Sequence, residues 1–258
     1  MSKKNELPIA VIDSGVGGIS VLRELIKIMP NENYLYYGDS ANAPYGEKSK
    51  AEVLDITQRN LRYLKRVGIK ALVIACNTAT SAAVKILRKE NRELPIIGIE
   101  PAIKPPAMLL ENPRVLVMAT PLTLREKKFC ALVEKFSDRE EIIPLPCVGL
   151  VELIEQGELD GELTDLYLQR LFAPYKDQKI DAVVLGCTHY PHIKKAIVRN
   201  LPEGTFVTDG GEGTARHTYN RLSQLGLLRK STNVGTVKII NTSSDPRLAV
   251  LSRELLYR

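Results

Sequence analysis

The chain has 258 residues, 44% of them apolar and 26% charged, with no tryptophan and aromatics at only 5%. That composition excludes a disordered chain and leaves little aromatic surface for stacking on single-stranded nucleic acid. The formal charge is +6 and the pI about 9.0. Lys and Arg are scattered rather than gathered in a stripe. Solvated surface or an anionic small molecule accounts for them, and nucleic-acid binding is not expected as the primary role.

The N-terminus is short and polar, and the apolar stretch at residues 8–12 ends at Asp13. It is too short for a signal peptide, and no later run approaches the ~20 apolar residues that span a bilayer. A cytoplasmic protein without membrane contact is expected. The chain has four cysteines, Cys76, Cys130, Cys147 and Cys187, with no Cys-x-x-Cys pair, and only three histidines. Free thiols are therefore expected, and no metal site.

In chain order, short apolar runs at residues 9–12, 71–75, 96–99, 115–119 and 182–185 predict buried strands. Amphipathic stretches at 20–28, 51–67, 81–88, 122–136, 163–175 and 214–225 predict helices between or after them, and 246–256 a last helix. Such alternation predicts an α/β fold of parallel sheets covered by helices on both faces.

Two of these strands end alike. Ala71-Leu72-Val73-Ile74-Ala75-Cys76-Asn77-Thr78 resembles Ala182-Val183-Val184-Leu185-Gly186-Cys187-Thr188-His189, and each is preceded by another strand entering a helix. Asp13 lies 63 residues before Cys76, and Ala119 lies 68 residues before Cys187. Two pseudo-symmetric doubly wound domains are expected, with the active site in the cleft between them. Prolines at 101, 105 and 106, and the turn Thr208-Asp209-Gly210-Gly211, place the boundaries. Residues 1–100 with 209–258 form the first domain, and residues 101–208 the second.

Ligands of open parallel sheets bind beyond the carboxyl ends of the strands. There lie Asp13-Ser14-Gly15-Val16-Gly17-Gly18, Cys76-Asn77-Thr78 and Cys187-Thr188-His189. The glycine motif is not a dinucleotide fingerprint, because Ser20 stands where the third glycine belongs. A phosphatase loop of the Cys-x5-Arg type is excluded by Ala82 and Ile193, and no Gly-x-Ser-x-Gly elbow or phosphate-binding P-loop occurs. Two thiols approaching one cleft from opposite sides suit a reaction needing an acid and a base on opposite faces of one carbon. Racemisation is such a reaction. His189 is placed to assist Cys187, and Asp13 to relay a proton for Cys76. His192 is read as a structural histidine.

The motif set resembles the glutamate racemases, within the aspartate/glutamate racemase superfamily. The segments that carry the resemblance are Ile12 to Gly18, Tyr37-Gly38-Asp39, Pro44-Tyr45-Gly46, Ala75 to Ala79, Ile99 to Ala102 and Gly186 to Pro191. The resemblance implies cofactor-independent interconversion of L- and D-glutamate by Cys76 and Cys187, the first acting on D-glutamate and the second on L-glutamate. It further implies assisting roles for Asp13, His189 and Glu155. The product would be D-glutamate for peptidoglycan, and the working form a homodimer. Glutamate needs donors for its carboxylates, and Asp13, Ser14, Tyr45, Gly46, Asn77, Thr78, Thr188 and His189 are the expected binding residues. A sibling enzyme for aspartate, a nucleotide-dependent oxidoreductase and, from the high pI, a non-enzymatic nucleic-acid binder are the competing readings.

Overall fold

The computed structural model describes residues 3–258. Two sheets, each wholly parallel, make the frame. The first runs β4-β3-β1-β2-β9 and the second β6-β5-β7-β8. In the first are β1 (Ile9–Asp13), β2 (Tyr34–Gly38), β3 (Ala71–Ile74), β4 (Ile96–Gly98) and β9 (Val237–Asn241). The second holds β5 (Arg114–Ala119), β6 (Glu141–Pro146), β7 (Ala182–Leu185) and β8 (Phe206–Asp209). Read from its β4 edge, the first sheet repeats the order of the second read from β8, with β9 added outside β2. The expected pseudo-symmetry is therefore present strand by strand. β1 corresponds to β5, and β3, which leads to Cys76, corresponds to β7, which leads to Cys187.

Apart from Asp13 and Arg114 at strand ends, the central strands are apolar because both faces are covered. On β1, Ile9 and Val11 enter one core cluster with helix α1 (Ile19–Ile28), while Ala10 and Ile12 enter the other with α2 (Lys50–Val67) and α3 (Asn77–Glu90). On β5, Leu116 and Met118 face α7 (Leu150–Glu155) and α8 (Glu162–Phe172), and Val115 and Val117 face the opposite core. This alternation is the period of two that a pleated strand imposes. Among the described residues, no helix is long and apolar enough to cross a membrane.

Helices α4 (Lys104–Leu109), α5 (Pro121–Arg125) and α6 (Lys127–Phe136) follow β4 and β5. The stretch 122–136, expected as one helix, is thus two. Glu126 between them takes extended backbone (ψ 136), and its carboxylate pairs with Lys50 from the first half. The break also lets α5 present Thr120 and Thr123 to Thr78 across the cleft. The stretch 163–175 likewise stops being α-helical at Phe172 and finishes as a 3-10 turn containing Pro174, which has no N–H to continue the helical ladder.

After α9 (Lys194–Arg199) and β8, the chain returns to the first half. There α10 (Gly211–Gln224) and α11 (Pro246–Tyr257) pack on α1. The outgoing and returning segments touch: a Cβ on Gly210 would lie 2.6 Å from the Glu100 carbonyl oxygen.

One buried group makes stability depend on pH. Glu140, between α6 and β6, is 4% exposed, and neither carboxylate oxygen has a hydrogen-bond partner among the described residues. Burial pushes its carboxyl up to about 7. The folded pKa thus lies above the unfolded value of ~4.3, so its cost to stability is absent at low pH and grows as pH rises toward 7. Glu140→Gln is expected to stabilise the protein by ~1–3 kcal/mol at pH 8 and by much less at pH 5. Urea unfolding at the two pH values checks this, and an equal difference at both would refute it.

Candidate active site

The carboxyl ends of the two sheets meet around a cavity of about 70 Å³. Ser14, Tyr45, Gly46, Cys76, Asn77 and Thr78 line it from the first half, and Thr120, Cys147, Cys187, Thr188 and His189 from the second. Pockets for drug-sized ligands occupy ~300–1,000 Å³. A dinucleotide does not fit a space this small, and an amino acid is the scale of ligand it suits.

Cys76 follows the end of β3 as the N-cap of α3, and its sulfur accepts from the Ala79 backbone N–H at 3.4 Å. Its thiol also contacts Ser14 Oγ at 3.8 Å. Burial, then the nearby Asp13 carboxylate, pushes the thiol up to about 12. Asp13 itself is fixed by the Gly15 N–H on Oδ1 at 3.0 Å and the Thr188 hydroxyl on Oδ2 at 2.9 Å. The second of these bonds crosses from one half to the other.

Cys187 ends the equivalent strand, and its sulfur lies 3.7 Å from His189 Nδ1. On the far side of the ring, His189 Nε2 is 3.0 Å from Glu155 Oε1. That oxygen also accepts from the Val16 backbone N–H at 3.3 Å. Burial alone would lower the His189 pKa, but Cys187 and Glu155 outweigh it and hold the imidazole well above its ordinary value. Glu155 responds in kind: burial would raise its carboxyl, and the His189 bond lowers it instead. The result is a thiol–imidazole–carboxylate line across the second half, ending on the glycine loop of the first.

The other expected site residues, binding and assisting, divide into two groups. Ser14, Tyr45, Gly46, Asn77, Thr78, Thr188 and His189 line the cavity. Asp13 and Glu155 stand behind its wall, where they hold residues that reach it. Tyr45 turns its hydroxyl away and donates to Asp39 Oδ2 at 2.6 Å. Its contribution at the cavity is therefore backbone and ring. The Asn77 Oδ1 atom is buried without a hydrogen-bond partner among the described residues, an acceptor at the cavity wall.

Cys147 and Thr120 also line the cavity and were not expected there. Both could have been found by symmetry. Thr120 follows β5 as Ser14 follows β1. Cys147 follows β6 as Asp39 follows β2, with Cys147 N–H on the Ala119 carbonyl at 3.1 Å and Asp39 N–H on the Asp13 carbonyl at 2.9 Å. Burial pushes the Cys147 thiol up to about 12.

Comparison with known proteins decides the family. The model of the Asp/Glu/hydantoin racemases matches residues 9–218. The chain belongs to the Asp/Glu/hydantoin racemase family. Within that racemase family, it is 49% identical over 259 aligned positions to the glutamate racemase of Clostridium acetobutylicum, covering 99% of each chain. It is 46% identical over 256 residues to that of Clostridium botulinum (strain Alaska E43), again covering 99% of each. The crystal structure of the Francisella tularensis glutamate racemase in complex with D-glutamate superposes with a TM-score of 0.85 at 29% identity, covering 98% of this chain and 95% of that one.

Gly17 shows how tightly this racemase holds its imidazole. A Cβ on Gly17 would lie 2.3 Å from His189 Nδ1, closer than any side-chain contact tolerates. Gly17→Ala is expected to displace the ring and lower kcat ~10–100-fold with the fold intact by circular dichroism. Unchanged kcat would mean that the ring's position is not critical.

Proposed function

We propose that the protein interconverts L- and D-glutamate without a cofactor, by proton transfer between the substrate Cα and two thiols. The observation that carries this reading is the placement of Cys76 and Cys187 at corresponding strand ends of two like halves, facing one small cavity. Glutamate as substrate rests on the relatives, which are glutamate racemases over nearly their full length.

In the resting enzyme Cys76 carries its proton, since burial and Asp13 both disfavour its thiolate. Cys187, 3.7 Å from His189 Nδ1, is the base on the other face. L-Glutamate then loses its Cα proton to Cys187. Negative charge develops on the α-carboxylate as the carbon becomes planar. Hydrogen bonds to that carboxylate lower the barrier if they tighten at this point. The N-terminal turn of α3, with Asn77 and Thr78, and Thr188 opposite supply donors. The Asn77 Oδ1 acceptor suits the substrate ammonium. Cys76 delivers its proton to the opposite face, giving D-glutamate, and the reverse reaction exchanges the roles.

D-Glutamate production for peptidoglycan, a cytoplasmic location and a homodimer accompany this reading. So do domains at 1–100 with 209–258, and at 101–208. The test is circular dichroism of purified protein with L-glutamate and separately with D-glutamate, no cofactor added. Decay to zero from both sides supports the reading. Decay with aspartate alone would keep the two-thiol chemistry and change the substrate.

A further inference from the structure

His192 touches neither thiol, yet it joins the two halves where His189 is held. Its Nε2 lies 3.0 Å from the Gly17 carbonyl oxygen, across the cleft. A carbonyl only accepts, so Nε2 carries the proton. Burial, with His189, Arg23 and Arg258 nearby, pushes its imidazole down to about 3, so the ring is neutral at physiological pH. The Gly17 carbonyl already receives the Ser20 N–H at 3.0 Å, and the Ser20 hydroxyl is shared at 2.9 Å between this carbonyl and that of Thr188. The His192 bond is therefore not needed to satisfy that oxygen. What it adds is a fixed distance between the halves.

The other end of the link is His189 itself. The His192 backbone N–H donates to the His189 carbonyl at 3.1 Å, within the 3-10 turn Tyr190–Ile193. Gly17 in turn backs the His189 ring so closely that a single methyl group would collide with it. A closed loop results: His189 backbone to His192, the His192 ring to Gly17, and Gly17 to the His189 ring.

We propose that His192 is a positioning residue for racemisation, its Nε2–H bond to Gly17 fixing the peptide that backs the His189 ring and so the approach of Nδ1 to Cys187. This rests on the two-thiol reading of function above. A residue that serves only one of two thiols leaves a distinctive kinetic signature. Enantiomers have an equilibrium constant of one, so kcat/KM must fall equally in both directions. The isotope effects need not. With deuterium at Cα of L-glutamate the label moves in the Cys187 step, and with D-glutamate it moves in the Cys76 step.

The experiment compares His192→Phe, which keeps a ring without a donor, with His192→Gln, which keeps a donor at the reach of Nε2. His192→Phe is expected to lower kcat/KM ~5–30-fold in both directions. Its primary isotope effect should rise for labelled L-glutamate and fall for labelled D-glutamate. His192→Gln should keep most of the wild-type rate and isotope effects. If the Phe variant does not fold, His192→Leu, which vacates space instead of filling it, takes its place. Wild-type rates in the donor-less variant, equal loss in both variants, or a loss with both isotope effects unchanged would each overturn the assignment. A wild-type protein inert toward glutamate would instead overturn the functional reading, and this role with it.

Discussion

Cys76→Ala and Cys187→Ala are each expected to abolish interconversion of the glutamate enantiomers, with kcat lower by ~10⁴-fold. Both cysteines are buried, at 6% and 8% exposed, and each follows a strand of its own sheet. Alanine keeps the small apolar volume, so the fold should survive and the loss should lie in the chemistry. The informative readout is exchange of the Cα proton in deuterium oxide. Each variant retains one base on one face, which removes a proton and returns a solvent deuteron to the same side. Cys76→Ala should therefore exchange L-glutamate without inverting it, and Cys187→Ala should exchange only D-glutamate. Racemisation persisting in either variant, or both enantiomers exchanging in one of them, would refute a two-base mechanism.

The sequence made the central strands and both thiols legible because they belong to apolar parallel strands, buried on both faces, that end in a small residue and then cysteine. The strands it did not reveal have physical reasons for hiding. β6 carries Pro144 and Pro146, which an edge strand tolerates and a central one does not. β2 reads as Tyr-Leu-Tyr-Tyr-Gly, with no clean alternation. Two of its tyrosines are buried with their hydroxyls on carbonyls, Tyr34 on Leu25 and Met29 and Tyr36 on Gly15. β9 is separated from its neighbour β2 by most of the chain, and no local pattern announces such a pairing. At the site, Thr120 and Cys147 were hidden for another reason. Their equivalence to Ser14 and Asp39 lies in strand order and register, and their residue types differ from those of their counterparts. Glu155 came from family resemblance alone, since a lone glutamate in an amphipathic helix carries no signal of its own.

Glu155 is also the residue whose substitution should separate charge from shape. Glu155→Gln keeps an oxygen for the Val16 N–H and a hydrogen-bonding atom at His189 Nε2, but removes the negative charge. That charge is one of the two influences that hold His189 above its ordinary pKa against the cost of burial. Without it the imidazolium loses its proton at a lower pH, and Cys187 loses the cation beside it. The alkaline limb of the kcat/KM profile should therefore move to lower pH, and kcat at neutral pH should fall ~10²-fold. His189→Gln removes the cation outright and should cost more, ~10³-fold, with the alkaline limb no longer set by an imidazole. Because both changes act on the Cys187 side, each should raise the isotope effect for labelled L-glutamate above that for labelled D-glutamate. An alkaline limb that stays in place or moves upward in Glu155→Gln would mean that the carboxylate only orients the ring.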